Sequence, residues 1–133
     1  MNLTPLLNAS PAIHFHMIGI ITALIATLLI FARARRSAQH RIFGWVWVVG
    51  MALAAGSSFF IQSIEQGGGF SPIHIISIYV FCGIVAGIRA IRKHRNIRAH
   101  RNAMVGMTIG GLGIAGILSF LPGRIMTAVI LGF

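Results

Sequence analysis

The chain has 133 residues, 56% of them hydrophobic and 9% charged, with a formal net charge of +10. That length fits one domain, and so apolar a composition excludes an ordinary soluble protein in favour of an integral membrane protein. The only carboxylate side chain, Glu65, and the only cysteine, Cys82, exclude paired-carboxylate hydrolysis, carboxylate metal cages, an Asp/Glu proton relay, a disulfide and a thiolate zinc site.

The first apolar stretch runs over 12–32. No basic segment precedes it, and it is too long for the core of a cleaved signal, so it is expected to persist as a helix. The basic run 33–41 leads to a second stretch at 42–63, where Trp45 and Trp47 are expected to form an aromatic belt just inside the membrane boundary. A polar, Gly-rich join, Glu65-Gln66-Gly67-Gly68-Gly69 with Ser71-Pro72, comes next. Pro72 suits the first turn of a third helix at 73–91, where a missing N–H costs little. The basic join 93–101 precedes a fourth stretch at 103–121, closed by Leu121-Pro122-Gly123. Each stretch is close to the ~20 residues that cross a ~30 Å hydrocarbon layer. The remaining 124–133 is too short to span and is expected at the interface.

Charge sets the expected orientation. Of the eleven basic residues, ten lie in two clusters, Arg33, Arg35, Arg36, Arg41 and Arg89, Arg92, Lys93, Arg95, Arg98, Arg101. Each cluster joins two apolar stretches, as cytoplasmic loops do under the positive-inside rule, which puts both termini and the Gly-rich join on the other side. This distribution argues for the lipid bilayer and against nucleic acid as the partner. Anionic lipid headgroups are a second expected partner of the basic loops, at roughly 1 kcal/mol per cation near the surface.

An offset of 60 residues lays the second half on the first without a gap. His14 then matches His74, Arg35 matches Arg95, and His40-Arg41 matches His100-Arg101; Gly50, Ala55, Gly56 and Phe60 match Gly110, Ala115, Gly116 and Phe120. With only 6 His and 11 Lys plus Arg in the chain, the polar coincidences carry the argument. The expected fold is all-α: a polytopic protein of four transmembrane helices, arranged as two parallel hairpins about a pseudo-twofold axis along the membrane normal. Gly83/Gly87 and Gly106/Gly110 have the spacing that lets transmembrane helices approach closely, and bundle packing is favoured over a ligand cleft. Cys82 reads as a small packing residue, and Tyr79 and Ser77 as packing polar groups.

The histidines are the candidate functional residues. His14, His16 and His74 fall near the outer ends of the first and third helices, and His40, His94 and His100 near the inner ends or in the basic join. Two imidazoles on facing helices can hold a haem iron axially. His14 with His74, and His40 with His100, would place two haem b groups towards opposite faces. Small residues follow both inner histidines, Gly44, Met51 and Ala55 on one helix and Thr108, Gly111 and Ala115 on the other, and neighbouring cations suit haem propionates. Depth argues the other way, since His14 to Ala32 is about 27 Å of helix and the histidines lie near the headgroups. Taken singly, His40 and His100 read as interfacial polarity, and His14 and His74 as hydrogen-bonded to a loop or to water. His16 points about 200° from His14 and ranks lower; zinc or copper is an alternative at either end, although two imidazoles are an incomplete set for structural zinc and His16 supplies a third outer ligand only if the helix end unwinds.

The run His40-Arg41 followed by Gly44, the segment Gly69-Phe70-Ser71-Pro72-Ile73-His74, and Asn96-Ile97-Arg98-Ala99-His100-Arg101-Asn102-Ala103-Met104 resemble an uncharacterised bacterial membrane family, the domain of unknown function 2306. The resemblance spans about Ile13 to Gly123 and implies a four-helix protein of the bacterial inner membrane, without an assigned activity. More distantly, histidines near opposite faces of four helices are similar to the two-haem b-type cytochromes, which implies haem binding and a redox partner. The other expected role is that of a non-catalytic accessory subunit of a respiratory or photosynthetic membrane complex.

Overall fold

The computed structural model describes residues 1–33, 37–65 (backbone only at 62–65) and 72–132. Arg35, Arg36 and the Gly-rich join therefore lie outside the described residues. The described chain contains helices and no strand: α1 (Thr4–Leu7), α2 (Pro11–Ala32), α3 (Ala38–Glu65), α4 (Pro72–Arg92), α5 (Ile97–Met107), a π-helical segment (Thr108–Ile114), α6 (Ala115–Leu118) and α7 (Ile125–Leu131). Four spans are long and apolar enough to cross a bilayer: Pro11–Ala32, Ala38–Ile61, Pro72–Arg92 and Ile97–Leu118, the last built from α5, the π segment and α6. The chain is a multi-pass membrane protein whose outer surface contacts lipid.

The second and fourth spans begin earlier than hydropathy places them, because polar caps carry the helix through the basic joins. Ser37 Oγ accepts the His40 N–H at 3.1 Å at the start of α3, and Asn96 Oδ1 accepts the Ala99 N–H at 3.0 Å at the start of α5. His40 and His100 thus lie inside the first turns of their helices. Between α4 and α5 the chain turns tightly, with Asn96 N–H on Ala90 O at 2.8 Å and Arg95 in the left-handed region at φ 49.

Close backbone approach organises the first hairpin. A Cβ on Gly19 would lie 2.7 Å from both Ala54 N and Gly50 O, and one on Gly50 would lie 2.9 Å from Gly19 O. Ala23 and Ala26 continue this smooth face of α2 and are buried with Trp47 of α3. The second hairpin packs differently. Met107 covers Gly83, Met104 covers Gly87, and Tyr79 lies against Gly106 and Gly110. The glycine spacings on α4 and α5 therefore serve packing within the hairpin, as expected, while the tighter Gly19–Gly50 contact has no paired-glycine spacing to announce it.

The hairpins meet at repeat-related positions. Met51 Cε lies where a Cβ on Gly111 would come within 2.8 Å, so residues 60 apart touch each other, as they must beside a twofold axis. Trp47 and its counterpart Met107 share the same buried cluster. Beyond this point the copies diverge. The π segment widens the turn in the fourth span, whereas the matching part of α3 is ordinary α-helix. The re-phasing shows in burial: Ala54 is buried, but its counterpart Ile114 is 52% exposed. Gly110, Gly111 and Gly113 lie in this segment, and Thr108 Oγ1 donates back to Met104 O at 2.9 Å, a bond that loosens the preceding α-helical turn.

At the other end of the bundle, the segment 124–131 is fastened to the N-terminus. α7 packs on α1, Asn2 N–H donates to Val129 O at 3.0 Å, and Thr127 Oγ1 donates to Leu121 O at 2.7 Å. Trp47 also departs from the expected belt. It is 3% exposed and donates from Nε1 to Thr27 Oγ1 at 3.1 Å, leaving Trp45 at the surface with the Arg92 guanidinium 5.8 Å over its ring.

Gly19→Val should destabilise the protein by about 3 kcal/mol in a detergent unfolding titration, since the added carbons meet backbone that cannot yield. Gly44→Ala, where a Cβ meets nothing within 4 Å, should instead stabilise it by roughly 0.5–1 kcal/mol through helix propensity.

Candidate functional site

The four repeat-related histidines occupy four different settings. His14 is exposed, and its Nε2–H donates to Leu6 O at 2.9 Å, fastening α2 to α1. Its counterpart His74 is 7% exposed and stacks on Phe59 of α3, with centroids 5.3 Å apart and planes 19° apart. His40 is half-buried in the first turn of α3. His100, also half-buried, donates from Nδ1 to Gly87 O at 2.9 Å and so ties α5 to α4. A one-residue phase difference accounts for part of this asymmetry. α2 and α4 start at Pro11 and Pro72, so His14 is the fourth residue of its helix and His74 the third.

His16, ranked below the others on sequence grounds, makes the deepest of these bonds. Its Nδ1–H donates to Ala54 O at 2.8 Å, beside the Gly19–Gly50 contact, and Ser57 Oγ donates to the same carbonyl at 3.1 Å. A carbonyl can only accept, so His16 and His100 are both fixed as Nδ1–H tautomers with the Nε2 lone pair turned away from the bond. Among the described residues, no group of three or more His, Cys, Asp or Glu side chains gathers as a metal site.

The room expected beside the inner histidines is taken up. Met51 and Val80 fill the space over Gly111, Ala55 is buried, and Met107 is fully buried at the centre. An open groove of about 600 Å³ lies instead on the outer surface of α4 and includes His94, and none of His14, His16, His40, His74 or His100 lines it. Cys82, expected in packing, is exposed there.

Polar groups, of which the sequence pattern singles out only Ser77, form short connections through the bundle interior. Thr27 Oγ1 donates to Ala23 O at 2.8 Å while accepting from Trp47. Ser58 and Ser77 share a hydroxyl–hydroxyl bond between α3 and α4, and whichever accepts in it keeps its own proton for the carbonyl one turn back, Ala55 O for Ser58 or Ile73 O for Ser77. Serine and threonine inside apolar runs were the available signal. What they bond to depends on helix rotation, which an apolar sequence barely encodes.

A family model described as a predicted membrane protein (DUF2306) matches residues 12–129. The chain belongs to that family. No curated protein and no solved structure matches it.

His100→Ala and Trp47→Phe each remove one interhelical hydrogen bond while leaving a carbonyl or hydroxyl behind. Each should lower stability by about 0.6 kcal/mol and at most roughly 1.7, the range for such bonds inside membranes, measured by unfolding in mixed micelles.

Proposed function

We propose that this member of the DUF2306 family is a non-catalytic accessory subunit of a larger complex in the bacterial cytoplasmic membrane, with its basic joins on the cytoplasmic side and both termini outside. The supporting observation is a contrast between two sets of glycines. At Gly19, Gly50, Gly83, Gly87 and Gly111 an added Cβ would come within 3.0 Å of the chain's own atoms. At Gly113 it would meet only Thr108 O at 3.9 Å, and at Gly116 nothing within 4 Å. These two lie in the fourth span among Ile109, Ile117 and Phe120, which are 61%, 71% and 50% exposed. Small residues gain little from acyl chains, but they let the backbone of a further helix come close. A respiratory or photosynthetic assembly would supply such a helix.

A second reading, haem binding with a redox partner, has one observation in its favour. His100 and His16 donate from Nδ1 to a carbonyl, the arrangement by which proteins orient an imidazole whose Nε2 binds metal. The methionine-filled centre offers a macrocycle no room between the hairpins, so this reading ranks second.

Solubilisation with polymer or mild detergent followed by native electrophoresis tests the first reading. The protein should migrate as part of a larger assembly, and Gly113→Leu should shift it to the size of the free chain without lowering its melting temperature. Migration alone before any substitution counts against the accessory role. An absorbance spectrum of the same preparation, from haem-replete cells and reduced with dithionite, decides the second reading: sharp low-spin b-type bands lost in His100→Ala would support it, and a flat spectrum would end it.

A further inference from the structure

The six cations Arg89, Arg92, Lys93, Arg95, Arg98 and Arg101 crowd one turn of chain. The only side-chain carboxylate of the protein, Glu65, belongs to the far end of α3, a helix of 28 residues or about 40 Å. Charge balance at this turn must therefore come from outside the protein. Arg92 is occupied by the face of Trp45. Arg89 and His94 are not directed there; they line the upper rim of the open groove on α4.

Below them the groove is apolar. Phe81, Val85 and Arg89 follow at intervals of four, so they form one stripe along the helix, with Cys82 and Ala86 beside it. From Arg89 to Phe81 the stripe descends about 12 Å, two helical turns into the hydrocarbon layer. Small Cys82 and Ala86 and the larger Val85 and Phe81, all exposed, line the groove together, and the volume is about 600 Å³. A cationic rim joined to an apolar trough of this depth matches an amphiphile with an anionic head and a hydrocarbon tail. A soluble polyanion has no use for the trough.

The geometry points to an anionic-phospholipid site at the basic end of α4, with the phosphate held by Arg89 and His94 and one acyl chain lying along Ala86, Val85 and Phe81. The inference stands independently of the accessory-subunit reading, which concerns Gly113 and Gly116 of the fourth span. It also goes beyond general attraction of a basic loop to the membrane, because it sets Arg89 apart from the other five cations.

Native mass spectrometry of the full chain, released from nanodiscs holding equal phosphatidylglycerol and phosphatidylcholine, tests it. The protein should retain phosphatidylglycerol selectively. Arg89→Gln should reduce that retention about fivefold, the weight of one cation near a membrane surface, and Arg89→Lys should keep most of it. Ala86→Trp, which fills the trough and leaves every charge in place, should reduce it as well. Arg98→Gln removes the same charge away from the groove and should leave retention unchanged. Equal losses from Arg89→Gln and Arg98→Gln would overturn the site in favour of diffuse attraction, as would full retention in Ala86→Trp. Displacement of the lipid by millimolar inorganic phosphate would show a free-anion site and overturn the lipid assignment.

Discussion

The contact between the backbones of Gly19 and Gly50 is the constraint from which the rest of the bundle follows. Inside a bilayer, burying apolar side chains yields no hydrophobic gain, because lipid is as apolar as the protein. Helices associate through dispersion contacts and a few hydrogen bonds, both of which act only at short range. By bringing α2 and α3 within touching distance, Gly19 and Gly50 place His16 on Ala54 O and Trp47 on Thr27. The second hairpin reaches a comparable end by another route, with flexible Met104 and Met107 filling the dimples at Gly87 and Gly83. Methionine adapts to an irregular gap where glycine demands a fitted surface.

The histidines take their meaning from this setting. In water an imidazole on a helix end exchanges freely with solvent; here His14, His16 and His100 each donate to a main-chain oxygen of a neighbouring helix. Together with the Ser58–Ser77 bond and the His74–Phe59 stack, they distribute polar and ring contacts from one end of the bundle to the other. The sequence pattern that suggested paired ligands thus coincides with helix fastening, and the same residue type serves different neighbours in the two copies.

Span number, span order and the tandem repeat were legible in the sequence, because length, hydropathy and charge clusters survive without knowledge of rotation. The Met51–Gly111 contact gives the repeat a spatial form. What hydropathy concealed was azimuth. Trp47 was assigned to a lipid-facing belt and lies inside, while Cys82 was assigned to packing and lies outside; both sit in runs so uniformly apolar that no face distinguishes itself. Helix starts were concealed for a different reason, since Ser37 and Asn96 extend α3 and α5 through residues that an apolar window discounts. Local capping chemistry could have recovered them.

The π segment gives the two copies unequal futures. An ordinary α-helix turns about 100° per residue and a π-helix less, so the seven residues from Thr108 to Ile114, matched without a gap by seven α-helical residues in the first copy, set a different bearing for everything that follows them. A duplicated protein begins with two interchangeable faces, which makes it prone to pair with itself in either sense. One change of helical pitch, absorbed without breaking the helix, is enough to give the assembly a front and a back.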